Sequence, residues 1–190
     1  MAGERIRSFV AVDLDDTSVI SKLVQAQREL RNTGADLKLV EPENIHATVR
    51  FLGEVSAPTI DIVKEQMNEV KFRSFDAEFV GLGAFPDLRR INVVWVGMRK
   101  GYEEISRIFG QLEPRLEKIG FAPDRKGFSP HVTIARVKTG RMRDELAKYV
   151  DAMRDTPFGV VHVGELRLKK SVLTPKGPVY STIYALRASE

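Results

Sequence analysis

Two of the three histidines stand in the same four-residue setting, His46-Ala47-Thr48-Val49 and His131-Val132-Thr133-Ile134, 85 residues apart. Each copy lies in an apolar, β-branched run, Ile45 to Leu52 and His131 to Val137, which reads as a strand. Side chains two apart on a strand share a face. Each copy therefore presents an imidazole beside a hydroxyl, while Ala47, Val49, Val132 and Ile134 turn to the interior. Two such pairs facing each other across a cleft suit phosphoryl transfer. A base takes a proton from the attacking water and an acid gives one to the leaving oxygen, on opposite sides of the phosphorus. Imidazole, with a free pKa of ~6.5, serves either role near neutral pH. The threonine hydroxyls can donate to the non-bridging oxygens. The residues alone do not say which histidine is the acid. A single histidine on a strand face is ordinarily a packed structural residue, and His162, with no threonine two positions on, is read that way.

The elements that must position these pairs follow from periodicity and punctuation. Strands are expected at Ile6 to Leu14, Leu37 to Val40, Phe75 to Ala84, Ile91 to Met98, Phe158 to Val163, Glu165 to Leu173 and Val179 to Leu186, besides the two motif strands. Pro86-Asp87 marks the connection between the third and fourth of these. Helices are expected from Val19 to Leu30 with Gly34 as the stop, from Pro58 to about Val70, from Gly101 to Ile119 with Gly120 as the stop, and from about Arg141 to Met153. Pro114 is placed to kink the third helix. The order strand, helix, short segment, strand, helix, strand, strand occurs twice, with His46 and His131 at matching points. Mixed strands and helices without strict βα alternation indicate an α+β fold. The expectation is one bilobal domain over residues 1–190, a His46 half and a His131 half, each an antiparallel-rich sheet with helices outside a central cleft.

Composition sets the outer bounds. The chain has 190 residues, 43% hydrophobic and 29% charged, as in a folded globular protein. It has no cysteine, which excludes thiolate metal sites, disulfides and a cysteine nucleophile. No apolar run approaches the ~18–20 residues of a membrane span, and Met1 to Arg7 do not form a signal peptide, so a cytoplasmic protein without membrane attachment is expected. The net charge of +4 is uneven: residues 86–143 carry 13 basic against 6 acidic residues, a stretch able to attract a polyanion. The short chain without exposed heptads is expected to be a monomer.

Other local features carry less. Gly81-Leu82-Gly83 lacks the third glycine and the helix start of a dinucleotide loop. Asp13, Asp15 and Asp16 could suggest a metal, but helix capping explains them more simply, and no metal site is expected. Arg89-Arg90, Arg99-Lys100 and Arg125-Lys126 are RNA-backbone contacts or solvated charge. Ser8, Ser129 and Ser171 have no base-and-acid pattern of a serine nucleophile.

At the two histidine motifs the sequence resembles the two-histidine (2H) phosphoesterase superfamily, and within it the RNA 2′,3′-cyclic phosphodiesterases of the LigT/ThpR type, formerly called 2′-5′ RNA ligases. The resemblance spans nearly the whole chain: Arg7 to Asp13 (RSFVAVD), Asn44 to Gly53 (NIHATVRFLG), Phe128 to Arg136 (FSPHVTIAR) and Ser171 to Tyr180 (SVLTPKGPVY). It implies two lobes around a cleft. The substrate would be RNA ending in a 2′,3′-cyclic phosphate, tRNA fragments being one source, and the product a 2′-phosphomonoester. It implies catalysis without metal or cofactor, and a reverse reaction in which a 5′-hydroxyl replaces water to form a 2′-5′ bond. His46 would protonate the 3′-oxygen, His131 would activate water, and Thr48 and Thr133 would anchor the phosphate. Arg136 and Phe51, each five positions after a motif histidine, would lie beside the nucleotide, Arg136 on the phosphate or stacked on a base and Phe51 on a base. Strict alternation turns both away from the histidine face, so a bulge or twist is required to bring them back. Two other readings are a superfamily enzyme acting on another cyclic phosphate or a 2′-5′ oligonucleotide, and an RNA- or nucleotide-binding module without turnover.

Overall fold

The computed structural model describes residues 5–124, 127–175 and 177–189. Arg125 and Lys126, read as RNA-backbone contacts or solvated charge, lie outside the described residues, as does Lys176 of the Ser171 to Tyr180 segment.

Among the described residues nine strands and four α-helices follow the expected order. The strands are β1 (Arg5–Asp13), β2 (Leu37–Leu39), β3 (His46–Ser56), β4 (Phe75–Asp87), β5 (Arg90–Met98), β6 (His131–Val137), β7 (Pro157–Val163), β8 (Glu165–Thr174) and β9 (Gly177–Arg187). They run β7-β4-β5-β6-β3-β1-β8-β9, with β2 added beside β6, and every pairing between them is antiparallel. The motif strands β3 and β6 meet at the middle, where Ala47 lies opposite Val132. To one side lie β1, β8 and β9 and to the other β5, β4 and β7. Each lobe thus takes outer strands from the other half of the chain.

The helices are α1 (Thr17–Asn32), α2 (Ala57–Asn68), α3 (Tyr102–Lys118) and α4 (Arg143–Ala152). α1 starts where Asp16 Oδ1 accepts from the backbone N–H groups of Ser18 and Val19, both at 2.9 Å. Its apolar stripe of Val19, Leu23, Ala26 and Leu30 is buried. α2 follows a Ser56 cap with Pro58 in its first turn, and buries Ile60, Val63 and Met67. α3 buries Ile105, Ile108, Leu112 and Leu116 and runs on through Pro114. The packing is crossed: α1, from the first half, lies on β6 and β7, whereas α3, from the second, lies on β3. Among the described residues no helix is long and apolar enough to cross a membrane.

Two local expectations differ from the structure. Pro86 and Asp87 belong to β4, and the turn is Leu88-Arg89, closed by Asp87 Oδ1 accepting from the N–H groups of Arg89 and Arg90. Of the three early aspartates only Asp16 caps the helix. Asp13 binds Arg167 at 2.7 Å and Lys169 at 2.5 Å, and Asp15 binds Arg167 at 2.9 Å, because β8 lies against β1. Gly83 sits in β4 beneath Trp95: a Cβ there would stand 2.2 Å from the indole, so only glycine lets the ring lie on the strand.

Candidate active site

His46 and His131 are the first residues of β3 and β6, and each is preceded by a segment that aims its ring. His46 Nδ1 lies 2.7 Å from the Asn44 carbonyl, and His131 Nδ1 lies 2.7 Å from the Ser129 carbonyl. A carbonyl can only accept, so Nδ1 carries the proton in both rings and Nε2 is left free to accept or donate on the other side. Nε2 of His46 lies 3.0 Å from Thr48 Oγ1, so in the neutral ring the hydroxyl donates to it. Both histidines and both motif threonines line one cleft of about 1120 Å³, large against the ~300–1,000 Å³ of ordinary ligand pockets.

The rings are held by aromatic neighbours on both sides of the cleft. Phe9 of β1 lies against His46 at 4.8 Å between centroids, and Tyr180 of β9 meets it edge-on at 5.3 Å. In the other lobe Phe85 meets His131 edge-on at 4.9 Å and Trp95 stands at 6.2 Å. Sequence reasoning named none of these four as ring supports, although Phe9 and Tyr180 fall inside quoted segments. Their role depends on pairing between distant strands, which spacing along the chain does not reveal.

Burial among these rings disfavours the charged imidazole, so both histidines titrate below the usual 6.5. For His46, burial is opposed by the Asn44 carbonyl and the Asp13 carboxylate, while Lys169 and the charge of His131 add to it. For His131, burial is opposed by the Ser129 carbonyl and reinforced by Arg136.

Phe51 and Arg136 also line the cleft, and bulges put them there. Along β3, Arg50 pairs with Val10 but Thr48 with Ala11, so Val49 is an extra residue. Along β6, Ala135 pairs with Val94 but Thr133 with Trp95, so Ile134 is extra. Each bulge reverses the alternation of the residues beyond it. Ile134 and Ala135 are consecutively buried, and Arg136 emerges on the histidine face, exposed. Phe51 is likewise 60% exposed at the mouth of the cleft.

The remaining expected features fall elsewhere. His162 is exposed, its Nδ1 3.0 Å from Asp76 Oδ1. Arg99 pairs with Glu78 at 2.7 Å and Lys100 with Asp76 at 3.5 Å, away from the cleft. Among the described residues no cluster of three or more His, Asp or Glu is arranged to hold a metal ion.

Comparison with known proteins adds the family. The LigT-like phosphoesterase model matches residues 13–95 and again 96–180. A protein of Aeropyrum pernix named RNA 2′,3′-cyclic phosphodiesterase is 41% identical over 90% of this chain and 97% of its own. One of Archaeoglobus fulgidus with the same name is 40% identical over 94% and 98%. Among solved structures, a Thermus thermophilus protein superimposes with a TM-score of 0.79 at 26% identity, covering 96% of this chain and 97% of its own. Escherichia coli LigT complexed with 3′-AMP gives 0.80 at 22% identity, over 98% and 100% of the two chains, a likeness of fold.

Proposed function

Because the chain belongs to the LigT-like phosphoesterase family, we propose that it hydrolyses the 2′,3′-cyclic phosphate at the end of an RNA, leaving a 2′-phosphomonoester. The relatives of Aeropyrum and Archaeoglobus are named RNA 2′,3′-cyclic phosphodiesterases. The observation that carries the reading is the matched pair of imidazoles on one cleft, each fixed at Nδ1 by a backbone carbonyl.

Water enters on the His131 side, where Nε2 takes its proton as oxygen attacks phosphorus. The bond from phosphorus to the 3′-oxygen breaks on the opposite side, where protonated His46 supplies a proton from Nε2. The 2′-ester bond stays. Each ring ends in the other's starting protonation state, and exchange with solvent resets the pair. Asp13 supports the imidazolium at His46, against Lys169, and Arg136 supports the neutral ring at His131. Protonation of His46 also changes Thr48. Nε2 can no longer accept, so the Thr48 hydroxyl turns its hydrogen to a non-bridging oxygen, where Thr133 and Arg136 donate from the other lobe. Phe51 stacks on a base. A 5′-hydroxyl in place of water gives a 2′-5′ bond by the same transfers. Both histidines come from one chain, so a monomer suffices, and tRNA fragments with cyclic ends are one fitting source of substrate.

A short RNA with a 2′,3′-cyclic phosphate end, incubated with the protein in EDTA, tests this. Mass spectrometry should find the addition of one water, and comparison with authentic standards should identify the 2′-phosphate. A 3′-phosphate product, or activity restored only by added metal, would overturn the mechanism. An untouched RNA would redirect the search to other cyclic phosphates.

A further inference from the structure

Gln27 is buried in α1, 3% exposed, on the far side of the sheet from the cleft. Its Nε2 donates both hydrogens to backbone carbonyls, at 2.7 Å to Val40, just past β2, and at 2.8 Å to Ile134 of β6. Ile134 is the bulge residue of β6. At this point β6 changes neighbour: Val132 pairs with β3, whereas Ala135 to Val137 pair with β2. The Ile134 carbonyl keeps one backbone donor there, the Val40 N–H at 3.0 Å. Gln27 adds a second donor to that carbonyl and a donor to the Val40 carbonyl, tying the two segments together from behind the sheet.

The other lobe carries a counterpart. Glu113 occupies the matching buried position of α3, 86 residues after Gln27, and accepts from Arg50 Nε at 2.6 Å. Arg50 adjoins the β3 bulge, and its guanidinium also donates to the Phe51 carbonyl at 2.8 Å and the Ala122 carbonyl at 2.5 Å. In both lobes, then, a helix from the opposite half of the chain sends one buried polar side chain to the strand just beyond the histidine motif.

We infer that Gln27 is a positioning residue: by bridging the Ile134 and Val40 carbonyls from behind the sheet it maintains the β6 bulge that turns Arg136 into the cleft. The inference rests on Arg136 contacting the substrate phosphate, as proposed above. Gln27 touches neither substrate nor the reacting atoms. Its effect is confined to where Arg136 stands, and a merely structural role would not select that residue.

The test is a double-mutant cycle between Gln27→Met, which keeps the length and removes both donors, and Arg136→Ala. Gln27→Asn, which keeps the amide but shortens its reach, is the milder partner if the methionine variant does not fold; thermal unfolding checks both. With cyclic-phosphate RNA, the Gln27 variant should raise KM about tenfold or more, as loss of a charged hydrogen bond does, with kcat within about threefold. Adding Arg136→Ala should then raise KM no further than Arg136→Ala alone. An unchanged KM in a folded Gln27 variant, or effects that multiply in full, would overturn the inference. A crystal structure of the folded Gln27 variant decides it without any substrate. Loss of the Ile134 bulge, or Arg136 turned out of the cleft, supports the inference, and an unaltered bulge and guanidinium refute it. Failure of the unaltered protein to act on the RNA would count against the proposed reaction and leave the crystallographic result to judge Gln27.

Discussion

The pH dependence of kcat/KM follows from the burial of two imidazoles that must work in opposite protonation states. In the free enzyme one ring has to be charged and the other neutral. Desolvation lowers both below 6.5, with the Asp13 carboxylate opposing the shift at His46 and Arg136 reinforcing it at His131. The active form is therefore most populated below pH 6.5, and above the higher of the two pKa values the rate constant falls tenfold per unit. An acid with a pKa below 6.5 is less than about 3% protonated at pH 8, so kcat/KM there should lie on the order of thirtyfold under its maximum. The bound phosphodiester is an anion and stabilises both imidazoliums, so the kcat profile should peak at higher pH than the kcat/KM profile. Initial rates from pH 4.5 to 9 at constant ionic strength, on an RNA whose own ionisation is silent in that range, give both curves. A kcat/KM that is flat from pH 6 to 8, or that climbs to a plateau above pH 7.5, would refute the assignment of two desolvated imidazoles as the acid and base.

Replacing Thr48 or Thr133 with Val should each lower kcat/KM by roughly ten- to a hundredfold, as loss of a hydrogen bond to a charged oxygen does, and steady-state kinetics reads it. The Thr48 change should also move the alkaline limb toward higher pH, since that hydroxyl donates to His46 Nε2 in the neutral ring and favours it. Gly83→Ala drives a methyl into the Trp95 indole, with 2.2 Å available, and should destabilise by about 1–3 kcal/mol in urea unfolding while shifting the fluorescence of the chain's single tryptophan. Asp13→Asn leaves Lys169, 6% exposed, without its carboxylate and should lower stability by about 3 kcal/mol. Burial opposes ionisation of Asp13, but Lys169 and Arg167 outweigh it and hold the carboxyl below its usual 3.8. Its stabilisation is therefore complete above that value and lost as pH falls through the lower native one, so the difference between the two proteins in urea melts should vanish toward that acid limit.

The chemistry was legible because it is written twice in residue types. His-x-Thr-x on a strand places both polar groups on one face by alternation alone, and β6 begins and ends where the apolar run does, at His131 and Val137. Helix positions were legible from their apolar stripes and from stops such as Gly34, which has φ +79°. Bulges were not. Nothing in Val49 or Ile134 marks an extra residue, because the irregularity belongs to the pairing of two strands; the resemblance required it at Phe51 and Arg136, and the register supplies it. The same limit hid Asp13, whose partners Arg167 and Lys169 lie more than 150 residues away. It also hid Gln27, an ordinary polar residue in a helix until β6 is laid beneath it. Pro86-Asp87 misled because both residues favour turns, yet Asp87 closes the turn from the end of β4 and Leu88-Arg89 form it.

The central claim is that His46 and His131 act together as acid and base on one phosphorus. Single-turnover rates of the His46→Ala, His131→Ala and doubly substituted proteins, on RNA ending in a 2′,3′-cyclic phosphate, test it most directly. Each single change should slow turnover by about 10²–10⁴, and the double change should be little worse than the slower single, as for groups that work as one unit. Either single variant within about threefold of the unaltered protein would contradict the account.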